Sequence, residues 1–149
     1  MARPSALARP VIFGLADGAM SILGVVFYAS GHAGLVFPVA LSGGLTAAVS
    51  MAAGQLLSDG GDPDPAAAAA MGAATLAGSV LPAVPYALTR SALAPVLSVA
   101  VCLVIAAVVG RLRQHRRHRY AETFAVLAVV VLVAAACALV FPGGAGGAG

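Results

Sequence analysis

Five long apolar runs, parted by short polar or glycine- and proline-rich breaks, occupy nearly the whole chain. They cover about residues 10–30, 35–57, 65–88, 92–110 and 121–141. Each is close to the roughly 20 residues that carry an α-helix across the hydrocarbon layer of a bilayer. In lipid every backbone N–H and C=O must be paired within the segment, which selects helices. The breaks fit this division. Ser30 to Gly34 turns the chain after the first run, and Asp59-Gly60-Gly61-Asp62-Pro63-Asp64-Pro65 after the second. Thr89-Arg90-Ser91 is a tight joint, and Arg111 to Tyr120 carries five Arg and two His, too many charges for lipid. The pattern predicts an all-α fold, a single membrane domain built as an integral bundle of five transmembrane helices. The tail 142–149, almost all Gly and Ala, is expected to be disordered.

Composition strengthens the prediction. Of 149 residues, 61% are hydrophobic and 9% charged, against about a quarter charged in ordinary soluble domains. A soluble core of this size cannot hide that much apolar surface, so membrane lipid is the expected solvent. All eight basic residues are Arg, and richness in Ala, Gly, Pro and Arg without Lys points to a GC-rich bacterial genome. The Arg residues sit in short inter-helix stretches, so the net charge of +3 is no nucleic-acid signal. With the N-terminus inside, Arg3, Arg9, Arg111, Arg113, Arg116, Arg117 and Arg119 lie inside and Arg90 alone outside. By the positive-inside rule this predicts a multi-pass protein of the cell membrane, N-terminus cytoplasmic and C-terminus outside. A cleaved signal peptide is the competing account of the first run, with Arg3 and Arg9 as its basic part and Ala29-Ser30-Gly31 as its cleavage region. Asp17 and the glycines around it interrupt the apolar stretch such a peptide needs.

Asp17 is the most informative residue. It stands about seven residues into the first run, or roughly 10 Å along a helix. A carboxylate at such depth is costly and usually faces a cavity, a partner or a bound ion, or else snorkels toward the interface. Asp17, Ser21, Gly24 and Tyr28 share one helical face, and Gly14 with Gly18 forms a small-x-x-x-small pair that permits close helix contact. The second run is dominated by small residues, so its helix is expected to be buried among the others. Met51 and Gln55 are four apart on one of its faces. A thioether suits late or reduced transition metals and a carboxylate harder ones. Asp17 with Met51 would make a mixed metal site; alone, Met51 is ordinary packing. Ser21, Gln55 and Tyr86 are candidate members of a transport path. Pro82-Ala83-Val84-Pro85-Tyr86 frees backbone carbonyls and bends its helix; Tyr86 alternatively belongs to the interfacial aromatic belt. Asp59, Asp62 and Asp64 suit either a cytoplasmic entrance for cations or a solvated turn with a helix-capping Asp. His115 and His118 are flanked by Arg, which repels cations. Cys102 and Cys137 read as small buried thiols. No Ser-His-Asp order, Walker loop, H-E-x-x-H or paired Cys motif is present, so no enzyme and no resident cofactor are expected.

Two stretches resemble a known family. Phe13-Gly14-Leu15-Ala16-Asp17-Gly18-Ala19-Met20-Ser21-Ile22-Leu23-Gly24 is similar to the first-helix signature of the vacuolar iron transporter family, a G-x-x-D-G core followed by Ser and Gly. Ser50-Met51-Ala52-Ala53-Gly54-Gln55-Leu56-Leu57-Ser58 is similar to its second-helix signature, and Gly72 to Tyr86, ending in P-x-x-P-Y, to its third helix. The last two runs match only in hydropathy. The resemblance implies a dimeric five-helix transporter of ferrous iron or manganese that exchanges protons, with Asp17 and Met51 on the metal path and the divalent metal as substrate. The family usually carries Glu-Tyr where Gln55-Leu56 stand. Many members also carry a long Glu-rich cytoplasmic segment where this chain has only Asp59 to Asp64. Two functions follow: a minimal divalent-metal exporter, or a non-transporting membrane scaffold or partner subunit with the same fold.

Overall fold

The computed structural model describes residues 7–28, 32–58, 64–89, 91, 93–113 and 119–140. Asp59, Asp62, His115, His118 and the tail 142–149 lie outside them, as do the side chains of Tyr28 and Cys137. The chain is an all-α bundle, with no strand among the described residues. Its elements are α1 (Ala8–Tyr28), α2 (Ala33–Ser58), α3 (Pro65–Val80), a 3₁₀ turn (Leu81–Ala83), α4 (Val84–Leu88), α5 (Leu93–Leu112) and α6 (Arg119–Val140). Among the described residues, four helical stretches are long and apolar enough to cross a membrane: Ala8–Val26, Ala33–Ser58, Pro65–Leu88 and Leu93–Leu112. Within α6 the apolar stretch found is Tyr120–Val133, which is shorter. Large side chains such as Val49 (70% exposed), Leu57 (87%) and Leu132 (68%) face outward. Outward-facing apolar side chains on long apolar helices are the mark of a multi-pass membrane protein.

Local chemistry explains the interruptions. Asp64 caps α3: its carboxylate accepts from the N–H of Ala66 at 2.9 Å and of Ala67 at 3.1 Å, and Pro65 fills the first helical position. The Asp64→Ala change should therefore lower thermal stability by about 1 kcal/mol, whereas Asp64→Asn, which still accepts, should change it by much less. A melting curve in detergent measures both; equal losses would remove the cap from the account. The third span changes geometry at Leu81–Ala83 because Pro82 and Pro85 have no N–H to give to the turn below. The N–H of Val84 there bonds the carbonyl of Leu81, three residues back, which is the tighter 3₁₀ pattern.

The first three spans pack around α3. The α1–α3 and α2–α3 contacts are the most extensive in the molecule, and α1 touches α2 far less. Glycine makes this possible. A Cβ on Gly18 would strike the carbonyl oxygen of Thr75 and come within 2.8 Å of Ser79 N. One on Gly14 would meet Met71 O and approach Thr75 N at 2.9 Å. From the other side, a Cβ on Gly78 would come within 2.6 Å of Leu15 O, and one on Gly72 within 2.8 Å of Ala48 O. The Gly14/Gly18 pair is thus used up inside the chain, against α3.

The expectation that α2 is buried among the other helices is not met within one chain. Its buried share, 22%, is the smallest of the four spans, against 50% in the third. Its contacts with α3 run along one face marked by Gly44, Ala48 and Ala52, while Gly43 and Gly54 have open space where a Cβ would stand. The apolar core at one end joins Ile22, Val26, Val36, Ala40, Ala83, Tyr86 and Ala94. A second cluster joins Ala19 of α1 to Ile105 and Val109 of α5.

Candidate functional site

Asp17 is half-buried near the middle of α1. The helix begins at Ala8, so the carboxylate stands roughly 14 Å along it. The next residue, Gly18, presses on Thr75 and Ser79 of α3, and Asp17 is turned about 100° round from it. Ile12, Leu15 and Ala19 of α1 meet the α5 cluster, and Ala16 and Met20 line clefts shared with α6. Asp17, Ser21 and Gly24 lie on the flank between the α6-facing residues and the α3 face, with Met20 three residues from Asp17 at its edge. This flank is open: Ser21 is exposed, and a Cβ on Gly24 would have no neighbour within 4 Å.

Met51 and Gln55 are both half-buried on α2. Seven and eleven residues beyond Gly44, they return to within about 20° of its direction, and a Cβ on Gly44 would come within 3.0 Å of Ser79 Cβ. Ser79 is the point where α1, α2 and α3 converge, since Gly18 and Gly44 both meet it. Gly72 contacts Ala48 and Ala52, so Met51 stands level with Gly72. Asp17 stands level with Thr75, between the contacts of Gly14 and Gly18. The carboxylate and the thioether are therefore offset by about one helical turn, on two helices that share α3.

Other candidates stand apart. Tyr86 is buried in the apolar core beside Ile22, Val26 and Ala94, so it does not belong to an exposed aromatic belt. Its hydroxyl and that of Ser98 are buried without a hydrogen-bond partner among the described residues. Asp64 is engaged as the α3 cap. Cys102 is a buried free thiol, as its sequence setting suggested. No group of three or more His, Cys, Asp or Glu gathers among the described residues. Any cation near Asp17 would have to complete its coordination with Met51, hydroxyls, carbonyls or water.

Two features carry no signal in a single-residue reading. Thr75 and Ser79 are almost fully buried where α1 meets α3. Their hydroxyls donate to the carbonyls of Met71 and Thr75, each at 3.0 Å, and Ser79 Oγ also reaches Gly18 O at 3.5 Å. The stripe Gly72, Thr75, Ser79 follows the helical period and would have marked the face. Arg113 at the end of α5 donates to Glu122 at 2.8 Å and to Thr123 at 3.1 Å, fastening α6 to α5. No family model, no curated protein and no solved structure matches the chain.

Proposed function

We propose that the chain is a transporter of divalent iron or manganese, exporting metal in exchange for protons. The observation that carries this reading is Asp17, a half-buried carboxylate near the midpoint of an apolar helix, on a flank open beside it. An ionised carboxylate at that depth calls for a counter-charge. A divalent cation supplies one, and without it a proton does. Alternation between the two couples metal movement to proton movement. Met51, on the neighbouring wall, adds a soft donor that favours iron over harder ions. The resemblance of the Asp17 and Met51 segments to the vacuolar iron transporter signatures supports the same substrate.

The decisive experiment is metal flux in proteoliposomes. Vesicles holding the purified protein should move Fe²⁺ or Mn²⁺ down a gradient and acidify or alkalinise in step, whereas empty vesicles should not. Absence of flux under every gradient would leave the second reading, a membrane scaffold or partner subunit. That reading is favoured by one observation: Gln55, an uncharged amide, occupies the α2 position where the resembled family has Glu.

The transporter acts as a homodimer in the bacterial cell membrane. Gly24, Gly43 and Gly54 support pairing, because each lies within a helix and faces open space. Each weakens its helix by roughly 1 kcal/mol relative to Ala, with no close contact inside the chain to offset it. Close approach of a second helix is the usual use of such positions. All five apolar runs cross the bilayer, α6 included, with seven Arg inside and one outside. Reporter fusions after Gln114 and after Gly146 should then report opposite sides; matching signals would defeat the five-span arrangement.

A further inference from the structure

A groove of about 390 Å³ runs between α1, α5 and α6, on the flank of α1 next to the one that carries Asp17. Its walls are apolar, from Phe13, Ala16, Met20, Val109 and Val126, and two guanidinium groups, Arg9 and Arg113, stand at one end. We propose that this groove holds one anionic phospholipid, its phosphate between Arg9 and Arg113 and an acyl chain along Phe13, Ala16 and Met20. The proposal does not depend on metal transport.

Three observations carry it. The first is charge. Arg113 spends one Nη on Glu122 and the other on Thr123, leaving part of its five-donor fork unused. Arg9 has no acidic partner among the described residues. Two guanidinium groups against one carboxylate leave a net positive charge at the mouth of an apolar channel, which is complementary to a phosphodiester with a hydrocarbon tail. Guanidinium groups also match phosphate oxygens in geometry. The second is length. Arg9 to Met20 spans 11 residues of α1, or roughly 16 Å, which is about half the hydrocarbon thickness and so the depth of one leaflet. The third is access. Phe13 is 56% exposed, so a lipid can enter sideways from the bilayer. A narrower cleft reaching Cys102, Ile105 and Leu127 shares Ala16, Met20 and Val109 with the groove and continues it inward. Any lipid-facing groove collects some acyl chain; the arginine pair selects the headgroup.

Native mass spectrometry of the detergent-purified protein, titrated with phosphatidylglycerol or phosphatidylcholine, tests the proposal. One phosphatidylglycerol should be retained about fivefold or more over phosphatidylcholine, the ratio expected when the site's one net positive charge meets a net anionic headgroup at roughly 1 kcal/mol per basic side chain. Arg9→Gln should reduce that preference about fivefold. Glu122→Gln, which releases a competitor for Arg113, should raise it. Arg111→Gln, at the same end of α5 but outside the groove, should leave it unchanged. Equal retention of the two lipids, no loss in Arg9→Gln, or an equal loss in Arg111→Gln would overturn the site.

Discussion

Replacing Gly18 with Leu drives α1 away from α3 and destabilises the protein by about 3 kcal/mol or more. Overpacking a well-filled contact costs about 1–3 kcal/mol when the neighbours are side chains that can move. Here the neighbours are the backbone atoms of Thr75, Gly78 and Ser79, which cannot move unless a helix does. Even Gly18→Ala should be damaging, because the clash begins at Cβ. The comparison that isolates the effect is Gly43, also within a helix, whose Cβ position is empty. There Ala should slightly raise the stability of the isolated chain through better helix propensity, and Leu should leave the fold intact. Thermal unfolding in detergent separates the two sites. If Gly43→Leu abolishes a dimer while the monomer stays folded, the open face of α2 is the pairing surface. If Gly18→Leu melts like the unmodified protein, the α1–α3 contact is not what holds the bundle.

On the proposed exchange mechanism, Asp17→Asn should lower metal-dependent proton flux to the level of empty vesicles, with no loss of fold. The amide matches the carboxylate in size, and Asp17 is only half-buried beside open space, so packing is conserved. What disappears is the group proposed to exchange a proton for a cation. Gln55 cannot substitute, because an amide neither ionises nor releases a proton in the physiological range. Met51→Leu is nearly conserved in volume and should retain transport while lowering the preference for iron over harder ions. Flux and helical content measured on the same preparations distinguish a lost site from a lost fold. Normal transport by Asp17→Asn would end the proton-exchange mechanism.

Much of the architecture is legible before any coordinates. Apolar run length and the Arg-rich stretch from Arg111 mark the helices within a few residues, because hydropathy is a property of each segment alone. Pro82 and Pro85 announce the break in the third span for the same local reason. Which helix meets which is another matter. Gly14/Gly18 and Gly43 look alike in sequence, yet one pair is filled by α3 and the other glycine faces outward. A small-residue stripe states that something comes close, and nothing in it names the neighbour. The abundance of small residues in α2 therefore misleads about burial within the chain. At the candidate site, the depth of Asp17 could be read from position, but its level relative to Met51 depends on how both helices register on α3. The Arg9–Arg113 mouth of the α6 groove joins residues more than a hundred positions apart, and no local pattern links them.

The central place of α3 also dictates when the protein can assemble. A chain made from its N-terminus delivers α1 and α2 to the membrane first, and these two fit each other poorly, with both of their matched faces waiting for the same absent helix. Until Pro65 to Leu88 has left the ribosome, the first hairpin has only lipid or the insertion machinery against its glycine grooves. Biogenesis then turns on the third span: a nascent chain halted before it should remain loose and open to degradation, and one halted just after it should already hold the three-helix half that contains Asp17.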